Sequence, residues 1–168
     1  EVLPDFDSFR AYAVARPLHI DGIDPSRLTV LRTLSFGQVN RSGKQWDVIF
    51  ASARHNTPPA ELVAIEIFSG ASLDGVVLHF SNGSVSRFGP CGGSPFRMQV
   101  EAGDRIQRLN VRAGAWIDAL EVVFKSGRRS GMRGNVTGGS LRVLEPADER
   151  GEIVGLYGTS GGWMDSIG

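Results

Sequence analysis

The chain is written in short runs whose apolar and polar positions alternate. In ELVAIEIF, Leu62, Ala64 and Glu66 fall on one side and Val63, Ile65 and Ile67 on the other, which is the period-two pattern of a strand. No window carries an apolar stripe at helical spacing with caps at both ends. The 22 Gly and 8 Pro form no tracts; they punctuate runs rich in Val, Ile, Leu and Phe. This texture predicts an all-β chain of many short strands.

One unit occurs three times: an alternating strand, a Gly-containing turn, an Asp and a second strand. The copies are IEIFSGASLDGVVLHF, LNVRAGAWIDALEVVF and VGLYGTSGGWMDSIG. Each sets a Gly four residues before an Asp, pairing Gly70 with Asp74, Gly114 with Asp118 and Gly161 with Asp165. The aspartates, at 74, 118 and 165, stand 44 and 47 residues apart, a period that predicts three similar supersecondary units. A glycine pair follows two of them, Gly92-Gly93 in GPCGGSPF and Gly138-Gly139 in NVTGGSLRV. Carrying that phase backwards reaches RSGKQWDVIF, where Gly43 alone remains, so this copy of the loop is degraded or longer.

Both elements suit a polyhydroxylated ligand. Adjacent glycines leave peptide N–H groups uncovered, and the turn sets a carboxylate beside them. Every sugar hydroxyl both donates and accepts, so one strong acceptor next to convergent donors matches it.

Composition narrows the classes. A 168-residue chain with 41% hydrophobic residues can build one core. Lys plus Arg equal Asp plus Glu at 18 each, so no global field favours nucleic acid or an anionic membrane. No apolar stretch approaches the roughly 20 residues that span a bilayer, and no basic-then-apolar secretory signal opens the chain. Sequons at Asn40, Asn82 and Asn135 matter only in a secretory pathway, which leaves secreted and cytoplasmic locations both open. Cys91 is alone, so an intrachain disulfide is excluded and a structural thiol expected. His19, His55 and His79 are scattered without metal or triad spacing, and His79 is expected to face solvent or a hydrogen-bond partner. Neither a GxSxG elbow nor a phosphate loop is present. Equivalence in the repeat separates Asp74 from Asp118 onto different sheets, whereas glycoside hydrolysis needs two carboxylates in one cleft. The expectation is a binding domain, not an enzyme, with no cofactor or metal.

Taken together, the Gly-x-x-x-Asp turns, the alternating Gly-Gly loops, GKQWD and EIVGLYGTSGGWMDSIG resemble the jacalin-related lectins from about Leu28 to Gly168. The resemblance implies a β-prism I of three four-stranded Greek-key sheets with pseudo-threefold symmetry, binding sugar between a Gly-Gly loop and a Gly-x-x-x-Asp turn. Carried over, its principal site is Gly161, Gly162, Trp163, Met164 and Asp165 facing Gly43, with Asp165 accepting from two hydroxyls and N–H groups near Trp163 and Met164 donating. Ser42, Gly43 and Lys44 would supply the partner loop, and Lys44 would crowd it. The second site is Gly114, Trp116, Ile117 and Asp118 with Gly138-Gly139; the first is Gly70, Leu73 and Asp74 with Gly92-Gly93. Trp116 reads equally as a core residue. In that family galactose specificity goes with a cleaved chain, and nothing before Gly43 suggests cleavage, so mannose- or glucose-type glycans or glycoproteins are the expected partners. A homo-oligomer is compatible with the sequence. The alternative is an interaction or targeting module of a larger protein with vestigial sugar sites.

Two segments lie outside this picture. Residues 1–27 are expected to pack on the lectin domain at 28–168, with Phe9 to Val14 filling a sheet edge beside the C-terminal strand. Lys125, Arg128, Arg129 and Arg133 crowd KSGRRSGMRGN, either a solvated turn or contacts for an anionic glycan or acidic partner.

Overall fold

The computed structural model describes residues 14–15, 31–50, 60–146 and 151–168, which fold entirely as strands and turns. The first strands are β1 (Val14–Ala15), β2 (Leu31–Arg32), β3 (Phe36–Gly37) and β4 (Lys44–Ile49). Next come β5 (Leu62–Ser69), β6 (Leu73–Phe80), β7 (Val85–Phe88) and β8 (Ser94–Gln99). They are followed by β9 (Ile106–Ala113), β10 (Ile117–Phe124), β11 (Arg133–Gly134) and β12 (Ser140–Leu144), then β13 (Gly155–Ser160) and β14 (Met164–Ile167).

Three four-stranded antiparallel sheets result, in the orders β7-β6-β5-β8, β11-β10-β9-β12 and β3-β14-β13-β4. In the first two, the central hairpin is flanked by the strand that follows it and by a fourth that crosses back to the far side, the Greek-key arrangement; in the third, the hairpin β13-β14 is flanked by β3 and β4, which precede it. The third sheet draws two strands from each end of the domain. Its threefold correspondence to the others is the β-prism that the resemblance implies.

The alternation in the sequence becomes the core. Ile65, Ile67, Leu73, Leu78, Leu109, Ile117, Leu120, Met164 and Ile167 are buried between the sheets, with Phe88 edge-on to Trp46 at a centroid distance of 5.2 Å. β6, β10 and β14 pack against one another at the prism centre.

Val14 and Ala15 pair with Arg32 and Leu31 in a separate two-stranded ribbon. The edge beside Ser166 and Ile167 is taken by Gly37 and Phe36 of β3. The rest of the expectation for residues 1–27 lies outside the described residues.

Candidate functional site

All three aspartates are bulge residues. In the β5–β6 ladder Phe68 faces Gly75 and Ser69 faces Leu73, which skips Asp74. The β9–β10 ladder skips Asp118 in the same way, and β13–β14 skips Asp165. An extra residue in one strand has no partner opposite and re-aims its side chain; here the chain spends each bulge on a carboxylate. The preceding turns are alike to the atom: Gly70 N donates to Ser72 O, Gly114 N to Trp116 O and Gly161 N to Trp163 O, each at 3.0 Å. That bond closes the turn and leaves the next two N–H groups without an acceptor among the described residues.

Leu73, Ile117 and Met164, placed among the sugar-binding residues by the resemblance, have fully buried side chains. Each precedes its bulged Asp and points the opposite way, so only their backbones can reach a ligand.

The bulge leaves each Asp carbonyl to a neighbouring edge strand. Asn135 N donates to Asp118 O at 2.9 Å and Cys91 N to Asp74 O at 3.1 Å. The approach requires glycine: Gly134, at φ +108, has its missing Cβ direction filled by Asp118 O, with Ala119 Cα 3.1 Å away. Gly89 and Gly37 stand in the same relation to Asp74 O and Asp165 O.

The partner loops explain the incomplete glycine pair. Asn135 Oδ1 accepts from Thr137 N and Gly138 N, both at 3.1 Å, and from Thr137 Oγ1 at 2.9 Å. Asn40 Oδ1 accepts from Ser42 N at 3.1 Å, and from Gly43 N and Ser42 Oγ at 3.0 Å. The two sequons are therefore one Asx turn built twice, and Asn40-Arg41-Ser42-Gly43 is a shorter copy of the second loop. Sequence reading registered both asparagines only as sequons; the shared N-x-[S/T]-G spelling was the signal for the turn.

The sites differ in how open they are. Asn40 Nδ2 donates to Asp165 Oδ2 at 3.0 Å, which orients the carboxylate and leaves Oδ1 without a partner among the described residues. Asp165 is half-buried and Trp163 beside it is 45% exposed. Asp118 is 7% exposed and lies beneath Gly138-Gly139, whose carbonyls accept from Arg112 at 2.7 and 2.9 Å. The second copy is thus the most closed, although its glycine pair is intact. Asp74 is half-buried, and burial raises its carboxyl above the ordinary range against the pull of the Gly70 N–H. Trp116 is 40% exposed and meets Trp163 at 5.6 Å between centroids, so it is a surface residue, and the second and third turns share an aromatic pair.

Other candidates are accounted for locally. His79 Nε2 meets Glu66 Oε2 at 2.9 Å, and together with Arg97 it holds the Glu66 carboxyl below its ordinary range. Arg128 and Arg129 pair with Glu101 and Glu121, and Arg133 stacks 3.6 Å over Phe96. Between the third and first copies lies a hollow of about 320 Å³ lined by Lys44, Ser160, Gly161, Arg87 and the Gly89–Cys91 segment. No group of three or more His, Cys, Asp or Glu side chains among the described residues could hold a metal ion.

Prism, bulged aspartates and closing turns define a jacalin-related lectin fold. Solved structures agree. A prostate-specific WGA16 glycoprotein lectin superposes at TM-score 0.62 and 20% identity, over 80% of this chain and 94% of that one. Malaysian banana lectin gives 0.61 and 21% over 80% and 92%. Artocarpin complexed with Me-alpha-mannose gives 0.60 and 15% over 81% and 95%. No family model matches the chain. In sequence it is 34% identical over 147 residues to the Schizosaccharomyces pombe protein named "Putative zinc metalloproteinase C607.06c". The alignment spans 87% of this chain and 23% of that protein. A Saccharomyces cerevisiae protein, "Putative zinc metalloproteinase YIL108W", is 40% identical over 47 residues, 28% of this chain and 7% of that one.

Proposed function

We propose that this domain is a non-catalytic carbohydrate-binding module that holds mannose- or glucose-type hexoses without metal at the Asp165 turn. The observation that carries this is the Asn40–Asp165 pair: a bulged carboxylate fixed through one oxygen, with the other free for hydroxyls. The N–H groups of Gly162 and Trp163 have no acceptor among the described residues and stand ready to donate to a ring or hydroxyl oxygen. Trp163 supplies the apolar face against which a pyranose packs. Two neighbours in fold, artocarpin complexed with Me-alpha-mannose and "a mannose binding jacalin related lectin from Ananas comosus", support the choice of sugar. The half-buried Asp74 turn is a second, weaker site, and two sites on one module raise avidity for dense glycans. A glycan array with wild type, Asp165→Ala, Asp74→Ala and Asp118→Ala tests it: Asp165→Ala abolishes most binding and Asp118→Ala least.

A second reading rests on length. The chain spans 23% of a relative named as a metalloproteinase, which suits a targeting or interaction module attached to a larger protein. Absence of binding on a broad array would favour that module with vestigial sites.

A further inference from the structure

The threefold correspondence breaks at Lys44. In the ladders Ser94 stands opposite Ser69 and Ser140 opposite Ala113, whereas Lys44 occupies that place opposite Ser160. A cation replaces a small hydroxyl at the third site alone, and its side chain lines the hollow that borders the Asp165 turn through Ser160 and Gly161. A second cation, Arg87 of β7, enters the same hollow from the first sheet. Neither is ion-paired with a described residue.

The negative groups nearby do not cancel them. Glu66, whose charge is felt at Cys91, is engaged by Arg97 at 2.8 Å and by His79 at 2.9 Å. Asp165 keeps its charge, because Asn40 is a neutral donor, but it is not among the residues that line the hollow. Cys91, the thiol in the wall, is pushed up by burial, with Arg87 and Lys44 opposing, and stays neutral at ordinary pH. What remains is a small concave space with two unspent positive charges that shares a wall with a hexose-sized polar turn.

We infer that this hollow receives an oxyanion carried by the bound sugar, a phosphate ester, sulfate ester or carboxylate, so that the third site selects anionic glycans. This rests on the carbohydrate reading of the Asp165 turn and adds a substrate class to it. The sugar ring meets Asp165 and Trp163, while Lys44 and Arg87 meet the substituent as point charge and fork.

The experiment titrates purified domain with matched sets of hexosides: the neutral parent, its phosphate and sulfate esters at each ring position, and the uronate. Inorganic phosphate and sulfate serve as separate ligands. The expected result is at least one charged member binding roughly tenfold tighter than its parent in low salt, an advantage that shrinks at about 0.5 M salt. Arg87→Gln loses the advantage but keeps affinity for the parent. Lys44→Ser, which restores the residue of the other two copies, loses it as well, with an unchanged melting temperature showing that the fold is intact. If the parent binds and no charged member binds tighter, the hollow is not an anion subsite while the lectin reading stands. If inorganic phosphate binds as tightly as the best ester, the anion site is independent of sugar and the inference is overturned. If neither parent nor charged sugars bind, both readings fall together.

Discussion

The close contact under each bulge makes a quantitative test of how the aspartates are held. Gly134 has φ +108, and a Cβ there would overlap Asp118 O and press on Ala119 Cα at 3.1 Å and Cβ at 3.3 Å. Alanine at such a φ costs about 1–2 kcal/mol in backbone strain. Forcing a methyl into packed backbone adds about 1–3 kcal/mol. A total near 3 kcal/mol lowers the melting temperature of a domain of this size by roughly 6–12 °C. Gly127 is the control: its φ is +86, but nothing lies within 4 Å of the missing Cβ, so Gly127→Ala carries only the strain and shifts melting by roughly 2–8 °C. Both variants are measured by circular dichroism melts and urea titration on the same preparation. Equal shifts would refute the claim that the edge strand closes tightly on the bulged carbonyl.

Three further outcomes follow from the same geometry. Asn40→Asp removes the Nδ2 donor and sets a like charge beside Asp165, so neutral-sugar affinity drops roughly tenfold or more by calorimetry. Trp163→Ala weakens sugar binding and Trp116→Ala weakens it less, which quenching of intrinsic fluorescence can rank. Burial pushes Asp104 up, but the Ser126 hydroxyl at 2.5 Å, the Ser126 N–H and the Arg105 N–H outweigh it and hold the carboxyl below its ordinary range. A depressed folded-state value means its stabilisation is present above the unfolded value and lost as pH falls through the folded one. Asp104→Ala therefore costs about 1–3 kcal/mol near neutrality and flattens the acid limb below about pH 4, as urea midpoints from pH 3 to 7 would show.

The fold was legible because its repeat is carried by residues that geometry cannot replace. A closing turn and an aspartate in the bulge recur at Gly70, Gly114 and Gly161, and this phase predicted three similar supersecondary units, which the resemblance turned into three sheets. What escaped lay in contacts between distant segments. Gly37, Gly89 and Gly134 look like ordinary turn glycines until the neighbouring strand's carbonyl is in place. The openness of each site was equally hidden: intact Gly138-Gly139 buries Asp118, while the loop with the single Gly43 leaves Asp165 reachable. Glycine content alone does not rank the sites, because exposure depends on how the loop lies over the carboxylate. Alternation cannot reveal that Leu73, Ile117 and Met164 plug the core, because a bulge inverts the alternation at just that point.

The sheet built from strands on either side of the repeat bears on how the domain forms. Phe36 lies directly opposite Ile167, so segments from either side of the repeat run as adjacent antiparallel strands. During synthesis the first two sheets can form from neighbouring segments, whereas the third waits for Met164–Ile167 to emerge, and the Asn40–Asp165 site matures last.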